Sequence, residues 1–334
     1  MHFVNRTPFE GCALPSVAHD DTHWLVVVVK GTFALGPSGT APGIADEPVP
    51  IHLEDVYWGE PGLSSLKYEA DTAIEKPGTD IALIGTAYAP SGPVRQLDVG
   101  IKIGSTAKIV RVFGDREWRK ARGGFALTEP TPFETMPLVY ERAYGGVDPV
   151  DPSRGGCDEN PLGKGFASPE SLDEIDSLPA PNLELRDRPI KSITERPEPA
   201  GFGFVARHWQ PRRALAGTYD DAWLAERCPL LPADFDPRSQ SAASPGLVND
   251  GYLAGGESVV IVNASPEGRI EFPLPRRVIE ATAVIAGEQV DKPLRLDTVV
   301  IEPDERRIAL TWRAAIPCHW NLAMVEWIRV SERG

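Results

Sequence analysis

The chain has 334 residues, with 48 Asp and Glu against 34 Lys and Arg, a formal net charge of −14. A surface of that sign repels a polyanion over most of its area, which argues against nucleic-acid binding. The length suits about two domains, or one large β domain, with a core that requires no disulfide or metal staple.

The N-terminus from Met1 to Pro8 lacks a basic region followed by an apolar run, so no secretory signal is read. The longest apolar stretch, Trp24 to Val29, is far short of the roughly 20 residues a membrane span needs. Cys12, Cys157, Cys228 and Cys318 lie far apart without a C-x-x-C pair, as expected of reduced thiols in a cytoplasmic protein.

The first segment reads as strands. Residues 24–35 are rich in β-branched and aromatic side chains, and their unbroken apolar run predicts burial on both faces. A second run, 79–88, ends at the turn residues Pro90 and Gly92. From Val94 to Phe113 apolar residues alternate around a Gly104-Ser105 break, which predicts a hairpin. The last segment offers short strands at 258–262, 270–274, 278–285, 294–301, 308–312 and 324–330, with a tight turn at 302–305.

The middle differs. Residues 146–245 hold 14 of the 33 prolines, and proline disfavours both helix interiors and central strands. The expectation is a long, irregular but ordered insertion, because its aromatic and Arg residues argue against disorder. One helix is expected at 219–227, with Thr218 as its cap, Asp221 completing an approximate capping box, and Pro229 as its stop. The fold class is therefore mainly β and sandwich-like. An N-terminal β region (1–145) and a C-terminal one (246–334) flank the insertion, and whether they share one core is left open.

Catalytic and cofactor patterns are incomplete wherever the chain approaches one. His19 and His23 stand at i, i+4 but lack the Glu of H-E-x-x-H and precede a strand, where that spacing shares no face. Gly201-Phe-Gly203-Phe-Val-Ala206 follows prolines and precedes Arg207-His-Trp-Gln-Pro211, not the strand–turn–helix a dinucleotide needs. Asn160-Pro-Leu-Gly-Lys-Gly165 lacks the first glycine and the hydroxyl of a phosphate loop. Asp148, Asp151, Asp158, Glu159 and Asn160 crowd one loop in no standard calcium spacing, with Arg154 and Lys164 nearby. No G-x-S-x-G elbow occurs, and no cofactor is expected.

What the middle does carry is aromatic and Arg residues set among Gly and Pro, which hold large side chains in fixed positions. Trp, Tyr and Arg are also the residues enriched at binding hot spots. The candidate partner-binding set is Arg142, Tyr144, Asn160, Lys164, Phe202, Trp209, Arg212, Tyr219, Asp220 and Trp223. The competing reading is that the same residues form a secondary core beneath the loop.

Asn5-Arg-Thr-Pro-Phe9, Lys30-Gly-Thr-Phe33, Arg142-Ala-Tyr-Gly-Gly146 and Asn160 to Gly165 form an ordered set of short motifs. It continues through Gly201-Phe-Gly203, Trp209-Gln-Pro-Arg212, Ala216-Gly-Thr-Tyr-Asp220, Leu231-Pro-Ala-Asp-Phe-Asp236, Leu274-Pro275, Asp297-Thr298 and Trp312-Arg313. Taken together, and over nearly the whole chain, they resemble the accessory proteins classed under domain of unknown function 2169, found in type VI secretion loci. The resemblance implies a cytoplasmic adaptor or chaperone. It would bind a toxic effector, or its PAAR-type tip module, and help load it onto the VgrG spike. No catalytic residues come with the resemblance. The alternatives from other classes are a hydrolase, such as one acting on carbohydrate through Asp/Glu pairs, and a structural secretion component.

Overall fold

The computed structural model describes residues 2–18, 20–318 and 322–333. Strand accounts for 42% and helix for 8%, which makes the protein mainly β. A six-stranded sheet carries Glu10–Val17, His23–Ala34, Arg307–Pro317, Arg295–Glu302 and Asp80–Leu83 in that spatial order, with Gly43–Ile44 added beside His23–Ala34. Its pairs are antiparallel except Asp80–Leu83, which runs parallel to Arg295–Glu302. A five-stranded antiparallel sheet orders Leu183–Leu185, Thr106–Phe113, Gln96–Ile103, Ser258–Val262 and Arg269–Pro273. A four-stranded sheet orders His2–Asn5, Val325–Glu332, Ile279–Ile285 and Glu288–Pro293. One apolar core joins all three.

Side chains alternate faces along a strand, and this sorts the six-stranded sheet into two chemistries. Leu25, Val27, Val29, Ile81, Leu83, Val299, Ile301, Ile308 and Leu310 point into the main core. The alternate positions include Lys30, Thr32, Asp80, Thr298, Thr311 and Arg313, all buried. A register shift between Leu296 and Thr298 brings Asp297 to this polar side, where it meets Arg313. The unbroken run at 24–35 is thus buried on both faces as expected, and its second face is partly ionic.

The hairpin expected at Gly104-Ser105 forms, with Thr106 facing Ile103. The 79–88 run divides instead between two sheets, as Asp80–Leu83 and Thr86–Tyr88, because the backbone leaves the first ladder at Ile84-Gly85. Strands His2–Asn5, Glu10–Val17 and Glu288–Pro293 went unpredicted, the last because its sequence is almost wholly polar. First and last strands of the chain pair directly: His23–Ala34 with Arg307–Pro317, and His2–Asn5 with Val325–Glu332.

The insertion is irregular and ordered, built of short 3₁₀ turns, two-to-three-residue strands and two short helices, α1 (Arg212–Leu215) and α2 (Asp221–Glu226). The helix cap is corrected: Asp220, not Thr218, accepts the Trp223 amide at 2.9 Å. Thr218 instead donates its hydroxyl to Asp234 at 2.8 Å and its amide to the same carboxylate at 2.9 Å. Helix α1 was not anticipated; at four residues it is too short to show a periodic pattern.

Candidate protein-binding surface

The motifs of the insertion turn out to be one another's neighbours. Tyr144–Gly145 pairs in parallel with Lys164–Gly165, and the Asn160 amide group donates to the carbonyls of Tyr140 (2.8 Å) and Tyr144 (3.0 Å). Gly145 has φ +152°, and a Cβ there would fall on the Asn160 carbonyl oxygen, so the close approach requires glycine. Tyr144, Asn160, Phe202 and Trp209 are all buried, with Trp209 edge-on to Tyr140 at 5.6 Å. These residues offer a partner almost no surface: Phe202 and Trp209 pack in the main core, and Tyr144 only lines a small cavity of about 330 Å³ with Leu183 and Arg196, so all three act as framework.

Arg212 is likewise internal and belongs to an ion network that the sequence reading missed. It reaches Glu69 at 2.6 Å and the Val205 and Ser239 carbonyls at 2.7 and 2.9 Å. Lys76 joins Glu69 (2.8 Å), Asp80 (2.7 Å) and the Thr298 hydroxyl (3.1 Å). Lys30 pairs with Asp71 at 2.7 Å and Arg313 with Asp297 at 2.5 Å, while Arg313 also holds the Asp71 and Ala73 carbonyls. Four cations thus meet four carboxylates, all buried, and the set is formally neutral. Burial opposes the charge of Lys76, yet Asp80 and Glu69 outweigh it and hold its pKa above the ordinary value. Burial keeps the Asp80 carboxyl above its usual range, offset only in part by Lys76. The network ties the insertion, through Arg212, to strands from both ends of the chain. The available signal was Lys30 and Arg313 standing within strands made largely of apolar residues.

Two candidates reach the surface on one side. Arg142 and Lys164 line an open cleft and share exposed Asp115 at 3.5 and 3.7 Å. Burial pulls the Lys164 pKa down, and Asp115 opposes the shift. With Arg116, Arg119, Glu117, Glu129 and Glu141 also lining this cleft, its charges balance.

The remaining three, Tyr219, Asp220 and Trp223, sit on a lobe formed by residues 216–235. Its neck is closed by the Asp236 amide on the Leu215 carbonyl (2.8 Å) and by the Thr218–Asp234 pair. Inside it, Tyr219 and Trp223 stack edge-on at 4.7 Å, and the Trp223 indole donates to Leu230 O at 2.9 Å. Arg227 fastens the lobe to Asp21, in the turn before His23–Ala34, at 3.1 Å. The tip is apolar and uncovered, with Tyr219 53% and Leu224 61% exposed. Leu215, at the neck, also lines a cleft of about 490 Å³ with Pro77, Val205, Ala243, Pro245 and Val248. Lobe and cleft therefore adjoin, and both rest on the network through Arg212.

The acidic loop binds its own backbone. Asp148 accepts from the amides of Val150, Asp151 and Ser168 (3.0, 3.0 and 2.7 Å) and from the Ser171 hydroxyl (2.7 Å). Burial works against its charge, but these donors prevail and hold the carboxyl well below its usual range. Among the described residues no cluster of His, Cys, Asp and Glu suits a metal, and His19 lies outside them. One constellation has catalytic composition: Lys108 donates to the Ser244 hydroxyl at 2.7 Å, and Tyr140 donates to it at 3.0 Å. Burial pushes the lysine down to about 8. Ser244 is fully buried and lines none of the clefts described above, so the trio pins residues 244–245 to the sheet rather than meeting a substrate.

A family model described as an uncharacterized protein conserved in bacteria, domain of unknown function 2169, matches residues 20–313. No curated protein and no solved structure matches the chain. The chain belongs to the domain of unknown function 2169 family.

Proposed function

We propose that this protein is an adaptor that holds another protein by non-covalent contact and carries out no reaction on it. The partner would be a type VI secretion effector or its PAAR-type tip module, which the adaptor helps load onto the VgrG spike from the cytoplasm. The observation that carries the reading is the lobe at 216–235, which leaves Tyr219 and Leu224 uncovered while its neck is closed by hydrogen bonds and meets an apolar cleft through Leu215. Exposed aromatic and leucine side chains on a pre-organised support are what a protein interface needs, because little ordering entropy remains to be lost on binding. Among the described residues no helix is long and apolar enough to cross a membrane.

The test is capture of tagged protein from its native host after cross-linking, with Tyr219→Ala/Leu224→Ala alongside. Both side chains are exposed, so the double variant should keep its unfolding free energy within about 1 kcal/mol of the parent. Recovery of a secretion component by the parent and not by the variant supports the reading. Failure of the folded parent to recover any such component would contradict it.

A further inference from the structure

The polar residues of the lobe restrict what its apolar tip fits, an inference that rests on the adaptor reading. Residues 216–236 include Asp220, Asp221, Glu226, Asp234 and Asp236 against Arg227 alone, and Arg227 is engaged by Asp21. Asp220 caps α2, Asp234 holds Thr218, and Asp236 holds Arg238. Asp221 and Glu226 are exposed, and their carboxylates make no hydrogen bond or ion pair among the described residues. Asp221 and Leu224 stand three apart on α2, a spacing that makes them surface neighbours. Any partner that covers Leu224 therefore brings its own surface against at least one free carboxylate. Covering such a group without a counter-charge is costly, and an acidic partner adds repulsion. A second copy of this chain, at −14 with the same acidic lobe, is such a partner.

We infer that the lobe docks on a protein surface that is apolar at its centre and rimmed by Lys or Arg. The rim neutralises Asp221 and Glu226, and the apolar centre takes Tyr219 and Leu224. Association across such a rim is steered by charge and weakens with salt.

Two fluorescein-labelled amphipathic peptides with the same leucine face, one with a lysine polar face and one with a glutamate polar face, test this by anisotropy against the full chain. The lysine peptide should bind and the glutamate peptide should not. Asp221→Lys/Glu226→Lys and Leu224→Ala should each weaken binding about tenfold, as should high salt. A charge-matched control outside the lobe, Glu47→Lys/Glu60→Lys, should change it by less than about twofold. The inference falls if both peptides bind alike, if neither binds, or if the control reversal weakens binding as much as the lobe reversal. The lobe reversal also enters the capture experiment. A partner recovered equally by parent and reversal sinks the charge inference and leaves the adaptor reading standing; no recovery by the parent sinks that reading whatever the peptides do.

Discussion

Replacing Lys76 with Met keeps most of the side-chain length and removes a charge that serves two buried carboxylates at once. Glu69 would keep Arg212 at 2.6 Å. Asp80 would keep only the Ala242 amide at 2.8 Å, and its other oxygen, Oδ1, already has no hydrogen-bond partner. The change thus strands a carboxylate in the interior, a perturbation that costs about 3–5 kcal/mol. For a chain of 334 residues that is a fall in Tm of roughly 4–7 °C. Asp80 already titrates above its usual range because of burial, and losing Lys76 raises it further. A raised carboxyl pKa means the folded state suffers while the group is charged and recovers as it protonates, so the loss should be largest near pH 8 and shrink toward pH 5. Lys76→Met/Asp80→Asn should regain about 1–3 kcal/mol over the single variant, since Asn can still accept from Ala242. Guanidinium unfolding followed by tryptophan fluorescence at both pH values measures all three. A loss under about 1 kcal/mol, or one that grows as the pH falls, would refute the reasoning.

Lys108, pushed down to about 8 from an ordinary 10.5, leaves the unfolded chain binding more protons between those values. Stability should therefore rise with pH across that window by on the order of 3 kcal/mol, and Lys108→Met should flatten the rise; both slopes come from unfolding midpoints. Asp148→Asn should destabilise by about 1.5–3 kcal/mol in the same assay, because an amide nitrogen cannot accept from the donors around it. Millimolar calcium should leave the thermal midpoint of the parent unchanged, since the Asp148 oxygens are already taken up by protein donors. Trp209→Ala, an interior truncation, should lose about 3–5 kcal/mol by thermal or chemical unfolding, whereas Leu224→Ala should stay within about 0.5 kcal/mol.

The mainly β class was legible because alternation and long β-branched runs register directly in sequence, as in Val94 to Phe113 and residues 24–35. Which strands pair was not, since His23–Ala34 meets Arg307–Pro317 across most of the chain and no local pattern encodes that. Glu288–Pro293 escaped for a different reason: an edge strand with exposed faces has no apolar alternation to show. The motif residues at 142–146, 160–165, 209–212, 216–220 and 231–236 stand out in the sequence as aromatic and Arg side chains set among Gly and Pro, a pattern that does not separate contact surface from framework. Only the fold reveals that Asn160 holds Tyr144, and Asp234 holds Thr218, and that Tyr144, Asn160, Phe202, Trp209 and Arg212 are support while Arg142, Lys164, Tyr219, Asp220 and Trp223 reach the surface. Leu224, the more exposed of the two large apolar side chains at the lobe tip, gives no such signal, because one leucine beside a tryptophan looks like any buried helical pair. The ion network was hidden because its eight members lie between residues 30 and 313 and converge only in space.

Hydrogen exchange on the complex recovered from the native host tests the central claim most directly. If the lobe and its adjoining cleft are the grip, amides within 216–236 and those around Val205 and Val248 gain protection on binding, and Tyr219→Ala/Leu224→Ala abolishes it. Protection confined to other surfaces, with the lobe exchanging as in the free protein, would contradict the account.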